Sequence, residues 1–185
     1  NGSISLDNSS PSYKNTTSRE GNTTVYTAYN WNLENGLYEP GSRNVEIKTY
    51  YDDETLETLI ETELGWDDEI NNFLVYYKRS SNYDEAGNGT YFKNEFLFTD
   101  QNVSNLVINS EEIFEFDENN NLIMRRSNYY DFYENILYGA VISEYTFNEN
   151  GFITERLNSN IQIDLDGSEA ITAYYKEVYS TILHN

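Results

Sequence analysis

The sequence predicts an all-β protein, an antiparallel meander of about 10 to 11 strands built from hairpin repeats of about 32 residues. Three observations lead to this fold. Pairs of an aromatic residue and an acid or amide recur at intervals of 32, 33 and 31 residues. Turn-forming residues follow each pair, and apolar and polar residues alternate between the turns. The pairs are Tyr51-Asp52, Tyr83-Asp84, Phe116-Asp117 and Phe147-Asn148.

Each pair is followed by residues that favour a tight turn. Asn and Gly tolerate positive φ, and Asp and Asn side chains bond the neighbouring backbone, so we expect Gly151 at a positive φ. A second turn about midway between the pairs gives each unit two strands and two turns. The midway turns are predicted at Trp66 to Glu69, Asp100 to Asn102, Asp131 to Gly139, and Asp164 to Gly167.

Two regions are predicted along the chain. Residues 1–23 are rich in Ser, Thr, Asn and Gly, which is typical of a flexible polar N-terminal arm or linker. Residues 24–185 form the hairpin-repeat domain, beginning where Val25 to Trp31 alternates. Its further strands are predicted at 45–51, 57–65, 73–80, 91–99, 103–109, 112–117, 121–128, 140–147, 152–158, 160–165 and 170–180.

Two segments also fit a helix. Between Glu54 and Leu64, around the strand predicted at 57–65, Leu56, Leu59, Ile60 and Leu64 have helical spacing, although the position in the repeat favours a strand. Residues 170–183 carry a similar pattern, so a short closing C-terminal helix is the alternative there. A sheet of this many strands rarely stays flat, so we expect a curved sheet that is barrel-like or two-layered.

The turn sequences resemble the tyrosine–aspartate hairpin repeats of secreted and surface proteins of the Bacteroidota, with their YD-x-x-G-N-L type of turn. The first unit departs from this pattern, because Asp52-Asp53-Glu54-Thr55 lacks Asn-Gly. The resemblance implies a mostly β protein at the extracellular or outer-membrane surface of a bacterium, and it carries over no site residues. The matching segments are Tyr83 to Asn88, Phe116 to Leu122 and Phe147 to Phe152.

Composition limits the partners. The 185 residues carry a formal charge of −21, which disfavours nucleic acid and anionic membranes. The chain has no Cys, which excludes disulfides and thiolate metal sites. It has no run of 18 apolar residues, so no transmembrane span is expected. Because it starts at Asn1 rather than Met, we expect a processed N-terminus.

Catalytic and metal chemistry have few candidate residues. The single His184 lies next to the C-terminus, so neither a His-based triad nor a zinc cluster is expected. No cofactor is expected, and irregular calcium binding at turn carboxylates is the alternative. An ordinary hairpin turn is the favoured interpretation of these carboxylates. They are Asp164, Asp166, Asp67, Asp68 and Glu69.

Aromatic residues are the candidate ligand or partner contacts. Their rings could stack on sugars or mark a protein interface, whereas packing as cross-strand pairs is the favoured interpretation. The 18 Tyr exceed what a core alone needs. The candidates are Trp31, Trp66, Tyr76, Tyr77, Tyr129, Tyr130 and Tyr133.

Three functions follow, in order of preference. The first is a non-enzymatic, secreted or cell-surface protein that binds a protein partner, as an accessory subunit of a surface complex or an adhesin-like module. The second is a carbohydrate-binding module that holds polysaccharide with exposed Tyr and Trp. The third is a glycan-processing enzyme, which would need two carboxylates about 5 to 10 Å apart.

Overall fold

A computed structural model describes residues 4–10, 13–100, 103–131 and 133–179, and the side chains of 13–98, 105–131 and 133–179. These residues form twelve strands and no helix. The strands are β1 Ile4–Ser10, β2 Tyr13–Glu20, β3 Thr23–Asn32, β4 Leu37–Tyr50, β5 Leu56–Asp67, β6 Asn72–Tyr83, β7 Gly89–Asp100, β8 Val103–Phe116, β9 Leu122–Tyr130, β10 Leu137–Phe147, β11 Ile153–Ile163 and β12 Glu169–Val178.

The strands hydrogen-bond in chain order from β1 to β12 within one sheet, which confirms the predicted all-β meander. Pairing is antiparallel, as in β3 with β4 and β10 with β11. The chain divides into two compact units. Unit 1 contains Asn1–Ser81 and Asn94–Val107, and unit 2 contains Asn82–Lys93 and Ile108–Asn185.

Several predicted boundaries are corrected by the structure. Within the predicted arm, Ile4–Ser10 and Tyr13–Glu20 are strands of the sheet. Both helix alternatives are wrong in the described residues, since 57–65 lies in β5 and 169–178 is β12. β8 and β11 each run through a point where the sequence predicted a break, at 110–111 and at 159.

The repeated turn is present with one backbone geometry. In each copy the first N–H donates to the fifth carbonyl, and the fourth N–H donates to the first carbonyl. The fourth residue has positive φ, including 77° at Gly151, as predicted. Four copies follow even-numbered strands, at 51–55, 84–88, 117–121 and 148–152. A fifth copy, 164–168, follows β11. Tyr51 therefore corresponds to Asp84, so the first repeat begins one residue earlier than the sequence pairs suggested.

The midway turns are capped by side chains. Asp67 Oδ1 accepts hydrogen bonds from the N–H groups of Glu69 and Ile70, and Asp131 Oδ1 accepts those of Tyr133 and Glu134. These caps give hydrogen-bond acceptors to backbone N–H groups in the turn, which lie outside the paired strands. The predicted turn at Asp100 to Asn102 lies largely outside the described residues.

Glu54 is the one non-amide, non-glycine residue at the left-handed position of a repeated turn, with φ of 70°. A Cβ in this region costs about 1 kcal/mol or more, so Glu54→Gly is expected to raise the free energy of unfolding by about 0.5 to 1 kcal/mol. Urea denaturation measures the change. The control is Glu118→Gly, at the second position of the 117–121 turn, which should not stabilise the fold. Equal effects of the two substitutions would contradict the turn assignment.

The core of the described sheet is small. In unit 2, Ala140, Ile161 and Ile163 are buried and pack with the partly buried Leu137 and Ile142. Polar side chains complete the buried set, and Asn158 accepts a hydrogen bond of 2.7 Å from Ser143. Many large apolar side chains therefore remain exposed on the strands.

Candidate functional site

The two candidate tryptophans pack between strands. Trp31 lies edge-to-face against Tyr38 at 4.9 Å between ring centroids, and Trp66 lies against Phe73 at 5.0 Å. Trp66 also donates its Nε1–H to Asp68 at 2.8 Å. Both rings are half-buried, and each stabilises its hairpin as a cross-strand pair.

Tyr76 and Tyr77 belong to opposite faces of β6, because successive side chains alternate along a strand. The exposed Tyr76 donates its hydroxyl to Glu63 at 2.9 Å. The half-buried Tyr77 donates to Asn94 at 2.7 Å. The pair predicted from the sequence therefore does not form one binding platform.

The remaining candidates lie in unit 2. Tyr129 is exposed beside Gly139 and Tyr138, at an open depression of about 550 Å³. Tyr130 is half-buried and bonds to Glu111. Tyr133 is exposed in the turn between β9 and β10. The seven aromatic candidates thus do not form one continuous row.

Carboxylates that were candidates for calcium binding form hydrogen bonds within their own turns. Asp166 Oδ1 accepts the N–H of Ser168 at 2.9 Å. Hydrogen bonding by the side chain and then the backbone of Ser168 lowers the pKa of Asp166. Asp164 accepts the Ser168 hydroxyl at 3.4 Å, while Asp67 caps its own turn. Across the described residues, no group of three or more His, Cys, Asp or Glu side chains is placed to hold a metal ion.

A polar network that the sequence did not reveal is centred on Glu111 of β8. Its carboxylate accepts hydrogen bonds from Tyr91 at 2.7 Å, from Asn128 Nδ2 at 2.7 Å, and from Tyr130. Arg126 donates to Asn128 Oδ1 at 2.8 Å and forms an ion pair with Glu169 of β12. The network joins β7, β8, β9 and β12 within unit 2.

The electrostatics of this network favour an ionised carboxylate. Burial raises the pKa of Glu111, but the hydrogen bonds from Tyr130, Tyr91 and Asn128 outweigh burial and lower that pKa overall. Burial and the neighbouring Glu111 raise the pKa of Tyr130, which therefore stays a hydroxyl donor. Arg126 lowers the pKa of Glu169. A general acid in glycoside hydrolysis needs a raised pKa, the reverse of the shift at Glu111 and Glu169.

The most exposed apolar surface on a strand is β12. Ile171 is 65% exposed, Tyr174 is 75% exposed and Val178 is 71% exposed. Their partners on β11 are Ile161, Ser159 and Glu155, and these registers place all three side chains on the face that carries the buried cluster. Tyr175 is exposed on the opposite face, where it pairs with Asn158.

The outer edge of β12 has no neighbour in the described strand order, which ends at β12. An unpaired edge presents a row of backbone N–H and C=O groups that can bond another strand. Here the backbone row is flanked by large apolar side chains on both faces. In the sequence Ile171, Tyr174 and Val178 have helical spacing, which left a choice between strand and helix, so the sequence did not single out this edge.

Within the part of the chain that the structure describes, no helix is long and apolar enough to cross a membrane. No family model matches the chain, and no curated protein matches it significantly. Among solved structures, a protein of unknown function from Bacteroides fragilis NCTC 9343 matches with a TM-score of 0.40 and 17% identity. That match covers 70% of this chain and 91% of the other chain. A likeness at this level assigns the chain to no family.

Proposed function

We propose that this protein is a non-enzymatic, secreted or cell-surface binding protein that accepts an extended strand of a partner protein along β12. The observation that carries the proposal is the exposed apolar edge of β12. Backbone bonds to the edge would supply affinity, and the flanking side chains would supply specificity. In this role the protein would be an accessory subunit of a surface complex or an adhesin-like module.

The apolar face of unit 2 continues to β12 without being covered there. Ile161 on β11 is 8% exposed, whereas Ile171, its direct partner on β12, is 65% exposed. A strand added beside β12 would place new side chains next to Ile171 and Tyr174. Burying apolar area in this way is favourable by about 25 cal/mol per Å².

Charge indicates what kind of partner fits. A second copy would bring another −21 to the same interface, and this repulsion opposes self-association. The charges on β12 are already paired within unit 2. Lys176 lies 2.8 Å from Glu155 of β11, Glu177 lies 3.8 Å from Arg156 of β11, and Glu169 pairs with Arg126 of β9. We therefore propose a different protein whose strand is apolar and either neutral or basic.

Three further observations support this assignment. The acidic composition and the absence of Cys fit a bacterial surface protein, as does the resemblance of the turns to Bacteroidota hairpin repeats. The lowered pKa values of Glu111 and Glu169 fit structural hydrogen-bond acceptors rather than a general acid. The paired tryptophans favour protein binding over a flat aromatic platform for polysaccharide.

The test is a pull-down from outer-membrane and surface extract of the source cells, with three versions of the full chain as bait. Tyr174→Lys combined with Val178→Lys should abolish capture of a stoichiometric protein that the native chain retains. The matched control, Leu33→Lys combined with Ile70→Lys, makes the same charge change at exposed turns of unit 1 and should retain the partner. Hydrogen exchange on the purified complex should show new protection of β12 amides.

Two results would contradict the proposal. The first is capture that survives the β12 substitutions. The second is no stoichiometric protein partner for the native chain. Light scattering could instead show that the native chain is a dimer and the β12 variant a monomer. That result would identify a second copy as the occupant of the edge and overturn the choice of partner.

A further inference from the structure

Two rows of side chains cross strands β2 to β5 on one face of the sheet in unit 1. Directly opposite residues of antiparallel strands share a face, so the registers define both rows. Apart from Gly65, the residues of both rows line an open depression of about 430 Å³, which we call the polar groove. The small row is Asn15, Ala28, Ser42 and Gly65, and the tall row is Thr17, Tyr26, Asn44 and Glu63.

The small row forms the floor of the polar groove. Ala28, Ser42 and Gly65 carry little or no side chain, so the surface is lower there than along the tall row. Tyr76 of β6 lies beside the end of this floor, since a Cβ on Gly65 would be 3.6 Å from the Tyr76 ring. Between β3 and β6 the groove spans three strand spacings, about 14 Å.

Two tyrosine rings border the polar groove. Tyr26 is 41% exposed and Tyr76 is 43% exposed, so each ring presents a face or edge to solvent. The hydroxyl of Tyr76 is fixed by its hydrogen bond to Glu63 at 2.9 Å. Aromatic faces are electron-rich and attract weakly positive C–H groups, such as those on one face of a sugar ring.

The polar atoms of the groove are mostly neutral donors and acceptors. Asn15, Asn44, Thr17 and Ser42 supply amides and hydroxyls, which can both give and accept hydrogen bonds. Asn44 Oδ1 is buried with no hydrogen-bond partner in the described residues, so this amide retains unused bonding capacity.

Other ligand classes fit this lining poorly. Glu63 is the one carboxylate that lines the groove, and a metal ion needs several such ligands. Arg43 also contributes to the lining, but its register with Leu64 assigns its side chain to the opposite face, where the guanidinium packs on the Phe73 ring at 4.1 Å. An anionic ligand would therefore meet Glu63 and a chain with net charge −21. A peptide that adds to a sheet uses an edge strand, whereas this groove crosses the strands on a face.

We propose that the polar groove binds a short neutral oligosaccharide, with sugar rings packed on Tyr26 and Tyr76 and hydroxyls bonded to Asn15, Asn44 and Glu63. The site is separate from β12, so this activity does not depend on the binding of a protein partner. It matches the recurring chemistry of small-molecule sites, in which apolar contact area is combined with a few placed polar groups.

The experiment is isothermal titration calorimetry of the full chain with cellohexaose, xylohexaose, mannohexaose and maltohexaose, and with hexagalacturonate as the anionic comparison. We expect binding of at least one neutral hexasaccharide and none of hexagalacturonate. Tyr76→Ala should weaken that binding at least about tenfold through the lost ring contact. Ser42→Tyr should abolish binding by filling the floor of the groove.

The control is Tyr174→Ala, which removes an exposed tyrosine of β12 and should leave the affinity for the oligosaccharide unchanged. Thermal melts and amide NMR spectra establish that each variant is folded, and Ser42→Tyr should still retain a protein captured through β12. Absence of binding to all four neutral saccharides would overturn the proposal. Binding that survives both groove substitutions, or that favours hexagalacturonate, would overturn it as well.

Discussion

Replacing Glu111 with alanine is expected to lower the free energy of unfolding by about 3 kcal/mol, because three donors lose one acceptor together. Tyr91, Tyr130 and Asn128 all donate to this carboxylate. Asn128 is only 6% exposed, so water cannot readily replace the lost bond. A buried donor without an acceptor costs about 1 to 3 kcal/mol. Chemical denaturation of both proteins at pH 7 measures the difference.

Glu112 provides the matched control on the next position of the same strand. It points to the opposite face, where it forms a partly exposed ion pair with Arg125. Exposed pairs of this kind contribute about 0 to 1 kcal/mol, so Glu112→Ala should have a small effect. If the two alanine variants were equally stable, the Glu111 network would not be a stabilising element of unit 2.

The effect of Glu111→Ala should also depend on pH. The folded state lowers the pKa of Glu111 below its ordinary value of 4.5, since hydrogen bonds to the ionised form outweigh burial. A carboxyl group with a lowered folded pKa stabilises fully above its unfolded pKa, and this stabilisation is lost as pH falls through the folded pKa. The gap between native chain and variant should therefore be largest near neutral pH and shrink on acidification below about 4.

The turns were the most predictable part of the fold, because their chemistry is local. Gly151 and Asn120 occupy the left-handed position that their residue types favour. The first copy was misplaced by one residue because Glu54 fills that position without the Asn or Gly signal. Backbone hydrogen bonds at Tyr51, rather than the aromatic pair, define where that turn begins.

Strand continuity was less predictable, for a definite physical reason. The sequence predicted breaks near Glu111 and at Ser159, because polar runs usually mark turns. In the structure these residues lie inside β8 and β11, where Glu111 is hydrogen-bonded and Ser159 is buried. Burial and partner geometry depend on neighbouring strands, and one strand's own residues do not encode them. The polar strand β2 was missed on the same grounds.

The candidate binding surfaces were also predictable only where they depend on local sequence and not on neighbouring strands. The sequence identified Tyr76 as a candidate contact, and the structure places it beside the polar groove. Alternation within the predicted strand already separates Tyr76 from Tyr77. The sequence could not show that Tyr26 joins the groove from β3, because that depends on the register between strands. The exposed edge at β12 likewise depends on which strand is last in the sheet.

Replacing Ile161 with alanine is expected to lower the free energy of unfolding by about 3 kcal/mol, through lost apolar burial and the cavity left behind. Ile161 packs with Ala140 and Ile163 in the buried cluster of unit 2. The matched control is Ile171→Ala, the same substitution at the residue directly opposite on β12. Because Ile171 is largely exposed, its replacement should change stability by less than about 0.5 kcal/mol.

Substitutions at Ile161 and Ile171, which lie opposite each other, test stability and partner binding separately. If β12 accepts a partner strand, Ile171→Ala should weaken capture of that partner while leaving the thermal melt of the isolated chain unchanged. A large loss of stability from Ile171→Ala would mean that β12 is covered in the isolated chain, and the edge would then not be available to a partner. A negligible loss from Ile161→Ala would mean that the buried cluster does not hold β10 and β11 together. The same face of unit 2 can therefore serve as a core at β11 and as a binding surface at β12 only if Ile161→Ala lowers stability and Ile171→Ala does not.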